Sequence, residues 1–137
     1  MLNLVGQFKL QCMQNTHFED EFVKFTFSEG ILLAEYKTDK IDLTIAEHII
    51  KRRLEYFNTS DYPLLADYRK VIETKKEARD LFATAEGTKY FKALAVLTNS
   101  PAGNMMYNFY MLLSKPGVPT KLFFKKEEAI TWLKEFI

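Results

Sequence analysis

The sequence has little cysteine, little glycine and no long apolar run. Its 137 residues include one cysteine and five glycines. The single thiol, Cys12, has no partner for an internal disulfide, which fits a reducing compartment. The glycines are dispersed and match no phosphate-binding pattern such as G-x-G-x-x-G, so nucleotide hydrolysis is not supported. Because no stretch approaches the roughly 20 apolar residues of a membrane span and no signal-peptide pattern is present, we expect a cytoplasmic protein without a span.

An excess of charge of one sign is also lacking. The 19 basic and 18 acidic residues are interspersed, with a formal net charge of +1, so we expect no nucleic-acid partner. Neither His17, in a polar turn, nor His48, in a helix, has a second histidine or a cysteine at ligand spacing. We therefore expect no metal and no cofactor. Cys12 lies in an alternating strand pattern without a base, which favours a packed or idle thiol over a nucleophile.

What the sequence does contain is regular patterning. Val23, Phe25 and Phe27 share one face of an alternating stretch, and Ser28-Glu29-Gly30 supplies a turn whose glycine tolerates a positive φ. Residues 31–37 resume as a strand, which predicts a hairpin. The alternating residues 7–14 are expected to pair with it.

Two capping-box spacings predict helix starts, one at Thr44 with Glu47 and one at Thr74 with Glu77. The first helix should run to about residue 57. Its predicted apolar stripe is Ala46, Ile50, Leu54 and Phe57, and its predicted solvent side is Lys51, Arg52, Arg53 and Glu55. The second helix carries the stripe Ala78, Leu81, Phe82 and Ala85, and Gly87 interrupts it.

Strands and helices alternate through the rest of the chain. Pro63 opens PLLADY, an apolar run expected of a strand covered on both faces. Residues 93–98 and 120–124 are further strands, Ser100-Pro101 predicts the start of a third helix, and residues 127–136 predict a last one, with Ala129, Leu133 and Phe136 facing inward. The sequence therefore predicts one α/β domain over residues 1–137: N-terminal antiparallel strands, then β-α units, with about four helices around a mixed sheet of five to six strands.

Several strings resemble the SpoIIAA-like branch of the STAS superfamily, which includes anti-sigma-factor antagonists and transporter tails and is related in structure to the lipid-binding Sec14 class. These strings are LTIAEHIIKRRLEYF, PLLADYRKV, TKKEARDLFA, KALAVLTNSPAGNMMYNFY and KLFFKKEEAITWLKEF. The resemblance covers most of the chain from about Gly30 onward. It implies a SpoIIAA-like fold and a role in protein contact or in binding a small apolar ligand, and it implies no activity.

The family's phosphorylation motif is matched only in part. In antagonist-type STAS domains a strand ending in aspartate leads to a helix whose N-terminus carries a phosphorylatable serine. Asp67 matches the strand-end aspartate in position. The serine does not carry over, since the only hydroxyl near the helix start is that of Thr74. Thr74 is interpreted as a plain N-cap, with phosphorylation beside Lys75 and Lys76 as the alternative.

Polar side chains follow the carboxyl ends of three predicted parallel strands, where open α/β sheets place their functional crevice. Asp67, Tyr68 and Arg69 follow one strand, Thr98, Asn99 and Ser100 the next, and Lys125 and Lys126 the last. Together they predict a rim for a ligand or partner that would hold a small polar or anionic group. The competing interpretation is an ordinary Asp67–Arg69 surface pair, with Ser100 as a cap only.

The predicted third helix is apolar on more than one face. Met106, Phe109, Tyr110 and Leu113 form its core stripe, which leaves Met105, Met111 and Leu112 on other faces. These three residues are candidates for a self-association surface or an apolar pocket. A covering loop would bury them equally well.

Three hypotheses of function follow. The leading one is a non-enzymatic STAS-like regulatory module that docks an unidentified protein partner and forms a homodimer. The alternative is a binder or carrier of a small apolar or lipid-like ligand, suggested by the abundance of Phe and Tyr. The weaker alternative is an enzyme that uses Asp67, Arg69 and Asn99.

Overall fold

The computed structural model describes residues 16–99 and 118–137. In chain order its strands are β1 (His17–Glu19), β2 (Val23–Ser28), β3 (Ile31–Tyr36), β4 (Lys40–Ile41), β5 (Tyr62–Asp67), β6 (Glu73–Thr74), β7 (Phe91–Leu97) and β8 (Thr120–Phe123). The helices of these residues are α1 (Leu43–Tyr56), α2 (Lys76–Phe82) and α3 (Lys126–Leu133), the last followed by a 3₁₀ turn at Lys134–Phe136.

Six of the described strands form one mixed sheet in the order β1-β2-β3-β5-β7-β8. The first three are antiparallel neighbours, and β3, β5, β7 and β8 run parallel. Ser28 pairs with Ile31, so the hairpin loop is Glu29-Gly30, and both residues have positive φ, as a two-residue type I′ turn requires. The predicted α/β class, the hairpin and the mixed sheet are confirmed.

Helices cover both faces of the sheet. Helices α1 and α2 pack on one face, where buried side chains of β2, β3 and β5 such as Phe25, Leu32 and Leu64 meet Ala46, Ile49 and Ala78. Helix α3 packs on the other face through Ala129 and Leu133. Strand β5 is buried along its whole length, because it lies in the middle of the sheet with both faces covered. This confirms the prediction from PLLADY.

Neither predicted capping box forms. Helix α1 begins one residue before Thr44, because the Asp42 carboxylate accepts a hydrogen bond of 2.8 Å from the backbone N–H of Ile45. Thr74 lies in β6, which pairs with β4 in a separate two-stranded sheet, and α2 starts after Lys75 without a side-chain cap. The two strands of this small sheet lie directly before α1 and α2, so their pairing holds the starts of both helices close together. The sequence did not predict this sheet.

Two other predictions are wrong in detail. His17 lies in β1, which pairs with β2, whereas the predicted partner strand at residues 7–14 lies outside the described residues. Helix α2 ends at Phe82, because the Thr84 hydroxyl bonds the Leu81 carbonyl and accepts the Gly87 N–H in a turn, so Ala85 is exposed. Phe136 packs against the core as predicted, although it is half-buried and lies in the 3₁₀ turn. The predicted third helix lies outside the described residues.

Within those residues, no helix has the length and apolar character needed to cross a membrane.

Candidate functional site

A cavity of about 90 Å³ lies between the sheet and helices α1 and α2. Most of its lining is apolar and comes from the sheet, α1, the end of α2 and the loop that follows. The apolar lining residues are Phe25, Ile49, Ile50, Leu64, Ala66, Phe82, Ala83, Phe91, Leu94, Val96 and Val118. The lining residues with polar side chains are Tyr36, Arg53, Tyr68, Thr88 and Thr120. The cavity thus combines an apolar body with a small set of hydrogen-bonding groups, the usual composition of a ligand site.

Arg53 is the charged side chain among the described lining residues. It is 3% exposed, although the helical pattern assigned it to the solvent side. The buried stripe of α1 is Ala46, Ile49, Ile50 and Arg53, at positions i, i+3, i+4 and i+7, whereas Leu54 is only half-buried. Arg53 lies seven residues after Ala46 and four after Ile49, a spacing that places all three on one face of a helix. This spacing could have predicted that Arg53 is buried.

The Arg53 guanidinium is held by neutral acceptors. Its Nη1 donates to the Tyr62 hydroxyl at 2.8 Å and to the Lys89 carbonyl at 2.7 Å, and its Nη2 donates to the Gly87 carbonyl at 3.1 Å. Its Cζ lies 4.5 Å from the centroid of the Phe91 ring, in cation–π geometry. None of the ion pairs among the described residues includes Arg53. A buried cation without a carboxylate partner is unusual in proteins.

Two tyrosines form the other polar part of the cavity. The ring centroids of Tyr36 and Tyr68 are 4.7 Å apart and their hydroxyls are hydrogen-bonded. Burial raises the pKa of Tyr36 to about 12, against a smaller lowering by the positive charge of Arg53. Burial also raises the pKa of Tyr68 well above its ordinary value. Both phenols therefore keep their protons at neutral pH and can donate hydrogen bonds.

The rim predicted from the strand ends is divided between the two faces of the sheet. Asp67 and Arg69 meet on the α3 side, where Arg69 donates to both carboxylate oxygens at 2.9 and 2.7 Å. Hydrogen bonding to Asp67 raises the pKa of Arg69. They line a groove of about 140 Å³ with Lys24, Glu35 and Lys126. Tyr68 instead lies in the cavity on the α1 side.

The other predicted site residues that the structure describes line neither the cavity nor the Asp67–Arg69 groove. Thr98 is buried and Asn99 is exposed. Thr74 pairs with Ile41 in the small sheet, and its carbonyl accepts a hydrogen bond from Arg79. Cys12, Ser100, Met105, Met111 and Leu112 lie outside the described residues.

The two histidines each contact one carboxylate. His48 Nε2 lies 2.5 Å from Asp20 Oδ2, and His17 Nε2 lies 3.9 Å from Glu19 Oε1. The pKa of Asp20 is lowered despite its partial burial, because His48 and two backbone N–H groups bond its carboxylate. Over residues 16–99 and 118–137, no group of three or more His, Cys, Asp or Glu side chains is placed to hold a metal ion.

Comparison with known proteins identifies a family. Residues 25–137 match the family described as a domain of unknown function, DUF7793. The chain belongs to this family. No match is found among curated proteins.

A solved structure is similar to this DUF7793 member along most of both chains. It is an uncharacterized protein of the DUF3478 family from Shewanella loihica PV-4, with a SpoIIAA-like fold. The two chains are 18% identical, the match covers 81% of this chain and 91% of the other, and the TM-score is 0.59. At this identity the likeness shows the fold alone, which is SpoIIAA-like, as the sequence resemblance implied.

Proposed function

We propose that this DUF7793 member is a non-enzymatic binding module that takes a small, mostly apolar ligand into the cavity between the sheet and helices α1 and α2. The observation that carries the proposal is the lining of that cavity, which is largely apolar but includes the buried Arg53. Ligand sites in proteins combine these two features. The proposal follows the ligand-binding alternative from the sequence.

The volume limits the size of the ligand. Pockets for drug-sized ligands measure roughly 300–1,000 Å³, and an engineered cavity of about 150 Å³ holds one benzene molecule. The cavity here, at about 90 Å³, matches a molecule of only a few heavy atoms or one end of a longer one. The proposed ligand is therefore smaller than the lipid that the Sec14 relationship suggested.

The chemistry of the lining supports binding rather than catalysis. Among the described lining residues, the titratable groups are Tyr36, Tyr68 and Arg53. The raised pKa of each tyrosine keeps it protonated at neutral pH, and arginine does not lose its proton in proteins. These side chains donate hydrogen bonds and supply no base near neutral pH.

Protein docking as a homodimer is a second proposed function. Its support comes from large apolar side chains that the described surface leaves exposed, of which Ile72 is 77% exposed and Phe124 is 49% exposed. Exposed apolar groups favour contact with another protein surface when they form a patch. The fold is compatible with this role and does not imply it.

Filling the cavity tests the ligand proposal. Ala83 lines the cavity and is half-buried, so Ala83→Leu should occupy part of the space without disturbing the core. The matched control is Ala85→Leu, two residues away at an exposed position. We expect saturation-transfer NMR with a panel of fragments of roughly six heavy atoms to show binding to the unmodified protein and to Ala85→Leu, and a loss of at least about tenfold in affinity in Ala83→Leu. Equal binding to all three proteins would place the ligand elsewhere, and no binding to any of them would remove the proposal.

A further inference from the structure

We infer that the ligand of the cavity carries a carboxylate and that Arg53 is the residue that binds it. This inference rests on the proposed ligand-binding function. It adds the chemical class of the ligand and the residue that recognises it.

The first argument is charge. Arg53 is 3% exposed, and within the described part of the chain no carboxylate lies within 4.0 Å of it. The nearest acidic residue in sequence, Glu55, pairs with Arg52 on the outer side of α1. Buried charges in proteins are normally paired, because transfer of an unpaired ion out of water is strongly unfavourable. An anionic ligand would supply the missing countercharge.

The second argument is the count of hydrogen-bond donors. A guanidinium has five N–H donors, and the bonds of Arg53 within the described residues use two of Nη1 and one of Nη2. Among residues 16–99 and 118–137, Nε–H and one N–H of Nη2 have no acceptor. An arginine that offers N–H donors from two of its nitrogens can bind both oxygens of a carboxylate.

The third argument is access to the cavity. Arg53 lines the cavity together with apolar side chains of the sheet and of α1. This side chain and the apolar walls therefore border one space, which favours an organic acid with a short apolar body.

Positioning of the guanidinium is already complete before a ligand arrives. Tyr62, Lys89 and Gly87 hold Arg53 through their oxygens, and its Cζ lies over the Phe91 ring. Because the side chain is fixed in one geometry, little conformational entropy is lost when an anion binds.

The test compares two probes of nearly equal size, butyrate and butyramide, which differ in charge. We expect the unmodified protein at neutral pH to bind butyrate at least about tenfold more tightly than butyramide in isothermal titration calorimetry, because a charged acceptor makes stronger hydrogen bonds to arginine. Equal affinities would overturn the inference and leave the proposed function standing. Binding of neither probe would overturn both. Chloride that binds as tightly as butyrate would overturn the assignment of an organic acid.

Variants of neighbouring arginines supply the control. In Arg53→Met the preference for butyrate should disappear, whereas Arg52→Met, at the adjacent outward-facing position, should keep it. Retention of the preference in a folded Arg53→Met protein would overturn the role of Arg53. If circular dichroism shows that Arg53→Met does not fold, the ratio measured on the unmodified protein decides the question.

Discussion

At the scale of single residues, the buried tyrosines connect the stability of the protein to pH. Tyr36 has a pKa of about 12 in the folded protein, against 10.0 for an exposed phenol, chiefly because burial disfavours the phenolate. The folded state therefore holds its proton at a pH where the unfolded state has lost it. Stability from this group is fully present below pH 10 and is lost as pH rises towards 12.

We expect the free energy of unfolding to fall between pH 9 and pH 12, and the ionisation of Tyr36 should account for about 2 kcal/mol of this fall. Urea denaturation followed by circular dichroism at several pH values measures this. Tyr36→Phe keeps the ring and removes the ionisable group, so its unfolding free energy should fall less steeply over the same range. The same slope in both proteins would show that the Tyr36 phenol is not protected in the folded state.

Gly87 is a second residue whose role depends on close packing. A Cβ atom at this position would lie 2.5 Å from the Leu81 carbonyl oxygen and 2.6 Å from that of Phe82, both in the backbone at the end of α2. The Gly87 carbonyl also accepts a hydrogen bond from Arg53. A side chain here would displace the loop that helps to hold the guanidinium.

Gly87→Ala should therefore destabilise the protein by about 1–3 kcal/mol, the usual result of forcing extra atoms into a packed site. Chemical denaturation measures the change. Glu86→Ala, at the adjacent exposed position, should change stability by less than about 0.5 kcal/mol. Similar effects of the two substitutions would contradict the close approach of Gly87 to α2.

At the scale of elements, helix α1 depends on a single cap. Asp42 has an extended backbone, and its carboxylate bonds the N–H of Ile45. Thr44 lies inside the first turn, where a hydroxyl caps nothing. The carboxylate also carries a negative charge that favours the positive end of the helix dipole.

Asp42→Ala should lower the free energy of unfolding by about 1 kcal/mol, whereas Thr44→Ala should change it by less than about 0.5 kcal/mol. Parallel urea titrations of the two variants measure the difference. A larger loss in Thr44→Ala would restore the capping box that the sequence suggested.

At the scale of the whole molecule, the two helical layers share one sheet. Strand β5 meets α1-side residues through Leu64 and α3-side residues through Leu65. Trp132, the single tryptophan of the chain, packs against Phe123 and Phe136 on the α3 side, with ring centroids 5.7 and 4.9 Å apart. Its fluorescence therefore reports on one layer.

We expect tryptophan fluorescence and far-ultraviolet circular dichroism to give the same denaturation midpoint, because loss of either layer exposes the sheet on which the other packs. This would support the prediction of one domain. If the fluorescence changed at a lower denaturant concentration, α3 and its face of the sheet would unfold as a separate unit.

The predicted homodimer also belongs to this scale. We expect native mass spectrometry of the purified protein to show a dimer at micromolar concentration. Ile72 is the most exposed large apolar residue that the structure describes, and Ile72→Ser should weaken the dimer. A protein that is monomeric at high micromolar concentration would remove the dimer from the proposed function.

The sequence by itself determined the elements that depend on local patterns. Alternation located β2, β3 and their turn, and a continuous apolar run located β5, because burial on one or both faces of a strand leaves a direct trace in residue order. Asp67 ends β5 and Tyr68 follows it, and successive residues of an extended chain point to opposite faces of a sheet. The predicted rim placed the two residues together and did not take this alternation into account.

Only the tertiary structure decided which polar groups came together. Asp42, and not Thr44, caps helix α1, and Thr74 pairs with Ile41 in a strand and caps no helix. Several side chains near a helix start can bond the free N–H groups, and the path of the chain into the helix decides which one does. Arg53 can be buried beside the cavity because oxygens of Tyr62, Gly87 and Lys89 accept hydrogen bonds from its guanidinium. Only the fold brings these three residues close to Arg53. A periodic pattern records which face of a helix is buried, but the partners that make a buried charge tolerable are brought close only by the fold.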